Sequence, residues 1–134
     1  MNSKQKHSDI INNKVRIFIS HSSKDEDITQ ALVELLESSF ELQQNDIRCT
    51  SLSGYKLPTG AHTSIKLKDE IKNSDIVIGV ITLNSIGSHY VLFELGASWG
   101  LDISTFPVIA KGVDFDSLPG PLKEKHAIHR TVIS

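Results

Sequence analysis

One carboxylate stands among apolar neighbours: Glu94, within Tyr90-Val-Leu-Phe-Glu-Leu-Gly-Ala-Ser-Trp99. Residues four apart share a helix face, so Tyr90 and Glu94 present a ring and a carboxylate on the same side. Such a carboxylate can stabilise positive charge developing on a bound molecule and hold its hydroxyls, the logic of glycosidases. The plainer reading is a solvated glutamate near a helix N-terminus, where its charge favours the dipole. A second group, Ser20, His21 and Ser22, follows an apolar, β-branched run. These side chains can hydrogen-bond a phosphate or a ribose; the plainer reading is that they cap the next helix. Other chemistries lack their residues. The single cysteine, Cys49, reads as a small strand hydrophobe without a paired histidine to make it a nucleophile. The six histidines form no HxxxH pair and the chain has no CxxC, so no metal site is expected.

The elements that must position these groups alternate. Val15, Ile17 and Ile19 mark a buried strand. Ser23 and Glu26 have the spacing of a capping box. Ile28, Ala31, Leu32, Leu35, Leu36 and Phe40 then recur at helical spacing. Asp46 to Thr50 reads as a second strand, 51–60 as a loop punctuated by Gly54, Pro58 and Gly60, and Ala61 to Asn73 as a helix with a solvated Lys/Glu face. Asp75 to Thr82 is nearly all apolar, as a central parallel strand is when both faces are covered. A polar turn from Asn84 to His89 leads into a helix, Tyr90 to Leu101, whose Val91, Leu92, Leu95 and Trp99 form a stripe for the sheet. A fourth strand is expected over Thr105 to Ala110, a rigid loop over Leu118-Pro-Gly-Pro-Leu122, and a fifth strand over Arg130 to Ile133. The fold class is therefore α/β: a flavodoxin-like three-layer sandwich with a central parallel sheet of about five strands. In that strand order the ligand sits at the switch point between strands one and three. The loops 20–24, 50–60 and 82–90 then face it, which brings in Thr50 and Ser85 as candidate contacts.

Composition bounds the rest. The chain has 134 residues, 39% hydrophobic and 22% charged, with a net charge of −2. That fits one globular domain, 14–134, behind a polar leader, 1–13, that lacks the apolar core of a signal peptide. A helix is expected to cover the last strand, yet the chain ends at Ser134, so the domain reads as short or as a fragment there. No basic cluster exceeds pairs such as Lys66/Lys68 and Lys123/Lys125, which argues against nucleic acid as a partner. No apolar run approaches the roughly 18 residues of a membrane span, and a lone thiol fits a reducing, cytoplasmic setting.

Three segments together resemble the TIR (Toll/interleukin-1 receptor) domain of the microbial, NAD-hydrolysing type. Arg16-Ile-Phe-Ile-Ser-His-Ser-Ser-Lys-Asp25 is similar to the family's first box, and Ser53-Gly-Tyr-Lys-Leu-Pro-Thr-Gly60 to its second, with Thr59 inserted before the glycine. Ser85 to Gly100 resembles the microbial segment with an aromatic four residues before a glutamate; the aromatic is usually Trp and is Tyr90 here. A third box is not evident. The resemblance implies an NAD glycohydrolase or cyclase with Glu94 as the catalytic residue. Ser20, His21, Thr50, Tyr55, Leu57, Ser85 and Tyr90 would contact substrate. NAD is a substrate and no cofactor is needed. It further implies self-association through the 53–60 loop and helix 90–101, and a role in bacterial antiviral defence.

Three rival readings stand beside this one. A non-catalytic TIR–TIR interaction module would leave Glu94 incidental. A nucleoside deoxyribosyltransferase-like enzyme would use Glu94 as a covalent nucleophile. A receiver domain is set aside, because strand one ends in Ser20-His21 and strand three in Ile81-Thr82 rather than in acidic residues.

Overall fold

The computed structural model describes residues 15–49, 63–118, 120–123 and 128–129. The elements are β1 (Ile17–Ser20), α1 (Glu26–Phe40), β2 (Ile47–Cys49), α2 (Thr63–Lys72), β3 (Ile76–Ile81), α3 (His89–Gly100), β4 (Ser104–Ile109), the short α4 (Gly120–Lys123) and β5 (Ile128–His129). The five strands form one parallel sheet in the order β2-β1-β3-β4-β5. The expected fold class is therefore observed. The strand order reverses between β1 and β3.

Side chains alternate across each strand, and this splits the core in two. Ile17, Ile19, Ile47, Cys49, Ile78 and Val80 meet Leu32, Val33 and Leu36 of α1 on one face. Phe18, Val77, Ile81 and Ile109 meet Leu67 and Ile71 of α2, Val91 and Leu95 of α3, and Leu122 of α4 on the other. Strands buried on both faces need apolar residues throughout, which is why β1 and β3 read as unbroken runs.

Several boundaries differ from the sequence reading. Gln44–Asp46 forms a 3₁₀ turn before β2, with Gln43 and Asp46 bonding each other's backbone. The cap after β1 is Ser22, whose hydroxyl accepts from the Lys24 N–H to open a 3₁₀ turn; α1 itself begins only at Glu26, so the Ser23/Glu26 capping box is not formed. The buried residues of α1 are Thr29, Leu32, Val33 and Leu36, while Ala31, Leu35 and Phe40 face outward. The i, i+3, i+4, i+7 set that packs is thus rotated from the one the apolar count suggested. Gly120–Lys123 forms a short helical turn within the stretch expected to be a loop: Pro121 is compatible with a first helical turn, and Leu118 and Leu122 are buried. The last strand among the described residues is Ile128–His129; the expected strand over 130–133 lies outside the described residues. No helix among the described residues is long and apolar enough to cross a membrane.

Candidate active site

The site is built at the carboxyl ends of β1 and β3. Ser20 ends β1 and, two residues beyond Phe18, points to the α2/α3 face. Its register partner on β3 is Gly79. A glycine inside a strand leaves room for another segment to approach. A side chain at Gly79 would meet Leu95 of α3, with the added Cβ only 2.8 Å from a Leu95 methyl. The gap thus lets α3 lie close to the sheet beside Ser20. Glu94, next to Leu95, reaches across, and Ser20 Oγ donates to Glu94 Oε1 at 2.7 Å.

Glu94 is buried, with 1% of its surface exposed. The inward stripe of α3 is Val91, Glu94, Leu95 and Ser98, again i, i+3, i+4, i+7. This corrects two expectations. Glu94 is not a solvated surface residue, and the sheet-facing stripe is not Val91, Leu92, Leu95 and Trp99, because Leu92 and Trp99 are exposed. Two polar residues hold inward positions because each has a partner: Glu94 has Ser20, and Ser98 Oγ lies 2.7 Å from Thr105 Oγ1.

The Glu94 carboxyl is only half satisfied. Oε2 is buried and has no hydrogen-bond partner among the described residues. Burial pushes its pKa from the usual carboxylate value up to about 7, against the lowering effect of the Ser20 hydrogen bond. A buried carboxyl titrating near neutrality, with one oxygen anchored and the other unclaimed, is the arrangement expected of a functional group rather than a structural one.

Tyr90 lies one turn before Glu94 and is half exposed. Burial, then the nearby Glu94 charge, raises the pKa of its hydroxyl. Tyr90 also borders an apolar groove of about 640 Å³ between α2 and α3, lined by Leu67, Ile71, Phe93 and Ala97 among others. Ser88 caps α3 by accepting from the Val91 N–H, which fixes where the Tyr90–Glu94 turn begins.

The other expected residues fall elsewhere. Ser85 is buried, its hydroxyl donating to Val80 O and accepting from Thr82 N, both at 2.7 Å; it braces the turn after β3 instead of opening to a ligand. His21 turns toward the α1 side, where its Nδ1 lies 3.5 Å from Cys49 Sγ. Cys49 therefore does have a histidine beside it, because Ile19 and Cys49 are register partners and His21 follows two residues on. Burial lowers the His21 pKa, outweighing its backbone contact with Ile19 and the charges of Asp25 and Glu26. Thr50, Tyr55 and Leu57 lie outside the described residues. Among the described residues no group of three His, Cys, Asp or Glu side chains gathers as a metal site.

Three residues of this end of the sheet went unnoticed in the sequence: Asp25, Thr82 and Asn84. Thr82 Oγ1 donates to Asp25 Oδ2 at 2.5 Å, and Asn84 Nδ2 donates to Asp25 Oδ1 at 2.8 Å. A buried aspartate in an otherwise solvated turn has no periodic signal; its only mark was its place just after β1. Gly79 had one, being a glycine within a β-branched run.

Comparison with known proteins points one way. The TIR domain family profile matches residues 17–131. A Bacillus subtilis (strain 168) protein, "Uncharacterized protein YddK", is 37% identical over 84 residues, 63% of this chain and 31% of that protein; the match thus spans about a third of the relative's length. Among solved structures, the TIR domain of the Toll-related receptor TRR-2 from Hydra magnipapillata superposes with a TM-score of 0.67 at 17% identity, covering 87% of this chain and 84% of that one. At that identity the likeness speaks for the fold alone.

Proposed function

The chain belongs to the TIR domain family, and from that premise we propose that it cleaves NAD at the nicotinamide–ribose bond, with Glu94 as the catalytic residue. The observation that carries this reading is the buried Glu94 carboxyl with its unpartnered Oε2. The C1′–N1 bond breaks with its electron pair leaving on the pyridine nitrogen, so the cationic ring departs as neutral nicotinamide and needs no acid. Positive charge grows on the ribose, and the ionised Glu94 stabilises it. Ser20 holds Oε1, and Oε2 turns to the ribose. Water adds at C1′ and releases a proton to solvent, giving ADP-ribose; addition by an adenine nitrogen, again with loss of a proton, gives a cyclic isomer. Tyr90 supplies a ring edge or face to the bound base. No cofactor takes part. The resemblance of the sequence to microbial TIR domains supports a cytoplasmic setting and a place in antiviral defence.

A second reading has its own observation. The outer face of α3 exposes Leu92, Phe93 and Trp99, an apolar face of the kind that marks contact surfaces. It supports self-association through helix 90–101, either as a requirement of catalysis or as the whole function, a signalling module.

The test is concentrated, folded protein incubated with NAD, wild type beside Glu94→Gln, with nicotinamide followed by chromatography. Release by wild type alone supports the enzyme; silence from both favours the interaction module.

A further inference from the structure

Two segments meet at the switch point: the end of β1 with its turn, 20–25, and the end of β3 leading through its loop into α3, 82–94. The Ser20–Glu94 bond links them once. Two further side-chain hydrogen bonds between them come from one residue, Asp25, which is itself buried. Its position is fixed from both sides: its N–H donates to Ser22 O at 2.9 Å, and its carbonyl accepts from Thr29 Oγ1 at 2.8 Å. Its two carboxylate oxygens are divided, Oδ2 taking Thr82 Oγ1 and Oδ1 taking Asn84 Nδ2. Thr82 Oγ1 in turn accepts from the N–H groups of Asn84 and Ser85, and Thr82 N–H donates to Ser85 Oγ. The loop that launches α3 is thus organised around Thr82, and Thr82 is organised by Asp25. Charge-assisted bonds of this kind are among the stronger ones available to a protein.

We propose that Asp25 is a positioning residue for Glu94: by clamping Thr82 and Asn84 to the β1 turn, it sets the distance between α3 and Ser20 and so holds the Glu94 carboxyl in its buried place. The inference rests on the reading of Glu94 as the NAD-cleaving group, and it adds a residue outside the substrate's reach on which that group depends. Asp25 does not act through its own charge on Glu94, whose environment is set by burial and Ser20. Its effect is geometric.

The side-chain exchange tests this. Asp25→Asn sets an amide N–H₂ against that of Asn84 and breaks half of the clamp. Asn84→Asp on that background restores a donor–acceptor pair in the opposite sense, with the same net charge and the Thr82 acceptor kept. The readouts are kcat and KM for nicotinamide release and, independent of turnover, the carbon-13 NMR titration of the Glu94 carboxyl in the full chain. For Asp25→Asn the account expects kcat to fall about 10- to 100-fold, in the range of a misplaced reacting group. KM should change less, and the Glu94 titration should move down from about 7 as water reaches it. The double variant should recover most of both. Leu32→Ala, which opens a cavity on the α1 face away from the clamp, should lower Tm and leave the Glu94 titration in place. A wild-type titration midpoint in folded Asp25→Asn, or no recovery in a folded double variant, overturns the proposal. If wild type releases no nicotinamide, the enzymatic reading fails by itself, and the titration still decides whether Asp25 places Glu94.

Discussion

Helices α1 and α3 lie on opposite faces of one sheet and bury the same four-residue pattern, yet with opposite content. In α1 the inward set is Thr29, Leu32, Val33 and Leu36, one polar residue among three apolar ones. In α3 it is Val91, Glu94, Leu95 and Ser98, while Leu92, Phe93 and Trp99 face out, Phe93 with 72% of its surface exposed. α1 follows the rule that stability favours. Both helices leave an aromatic in water, Phe40 on α1 and Phe93 on α3, but α3 alone puts an acid against the sheet, and that departure needs a reason outside stability: the acid has the chemistry proposed for it. The buried acid of α3 is thus what sets its half of the molecule apart.

The comparison can be broken from either helix. The largest expected effect is on catalysis: Glu94→Gln removes the charge that stabilises the ribose cation and should lower nicotinamide release by about 100-fold or more, checked by chromatography on protein of unchanged near-UV circular dichroism. On the other helix, Leu32→Ala opens a cavity in the α1 face and should destabilise the fold by about 3 kcal/mol. Urea unfolding measures this, and activity per folded molecule should stay near wild type.

Next comes the pH dependence of stability. The Glu94 pKa is raised in the folded state to about 7 from 4.5. The folded protein therefore holds a proton that the unfolded chain has lost. Its stability contribution is fully present below the unfolded pKa and disappears as pH rises through the folded one. Over that window wild type should lose about 3 kcal/mol relative to Glu94→Gln. Equal pH slopes for the two proteins would show that the carboxyl is not desolvated. A smaller effect belongs to Ser20→Ala. It removes the one hydrogen bond that lowers the Glu94 pKa, so the acid limb of activity should move to higher pH. The smallest is Phe93→Ser on the exposed face: stability should change by less than about 0.5 kcal/mol, while self-association, followed by analytical ultracentrifugation, should weaken.

The same contrast explains what was legible in the sequence. β1 and β3 were readable because a strand covered on both faces must be apolar throughout, and α1 because its apolar residues recur at helical spacing, although Ala31, Leu35 and Phe40 face outward. The stripe of α3 was misassigned because its burial is decided by partners 74 and 7 residues away, Ser20 for Glu94 and Thr105 for Ser98. Periodicity does not see such partners. The pairing of Tyr90 with Glu94 was legible because it is local, a single helical turn. Ser85 was placed correctly in the loop after β3, but its hydroxyl is engaged by the backbone of that loop, which nothing in a short polar stretch announces. Asp25 is the sharpest case. Its neighbours Ser23, Lys24, Glu26 and Asp27 face solvent, and only the folded juxtaposition of two loops separates it from them.

The measurement that bears most directly on Glu94 is kcat/KM for NAD as a function of pH, because that ratio reports ionisations of the free enzyme. The account predicts a rate that climbs as the carboxyl ionises, with a midpoint near the value of about 7 set by its burial, and a Glu94→Gln variant flat at background. A wild-type rate independent of pH across that range, or a Gln variant that turns over NAD with the wild-type profile, would contradict it.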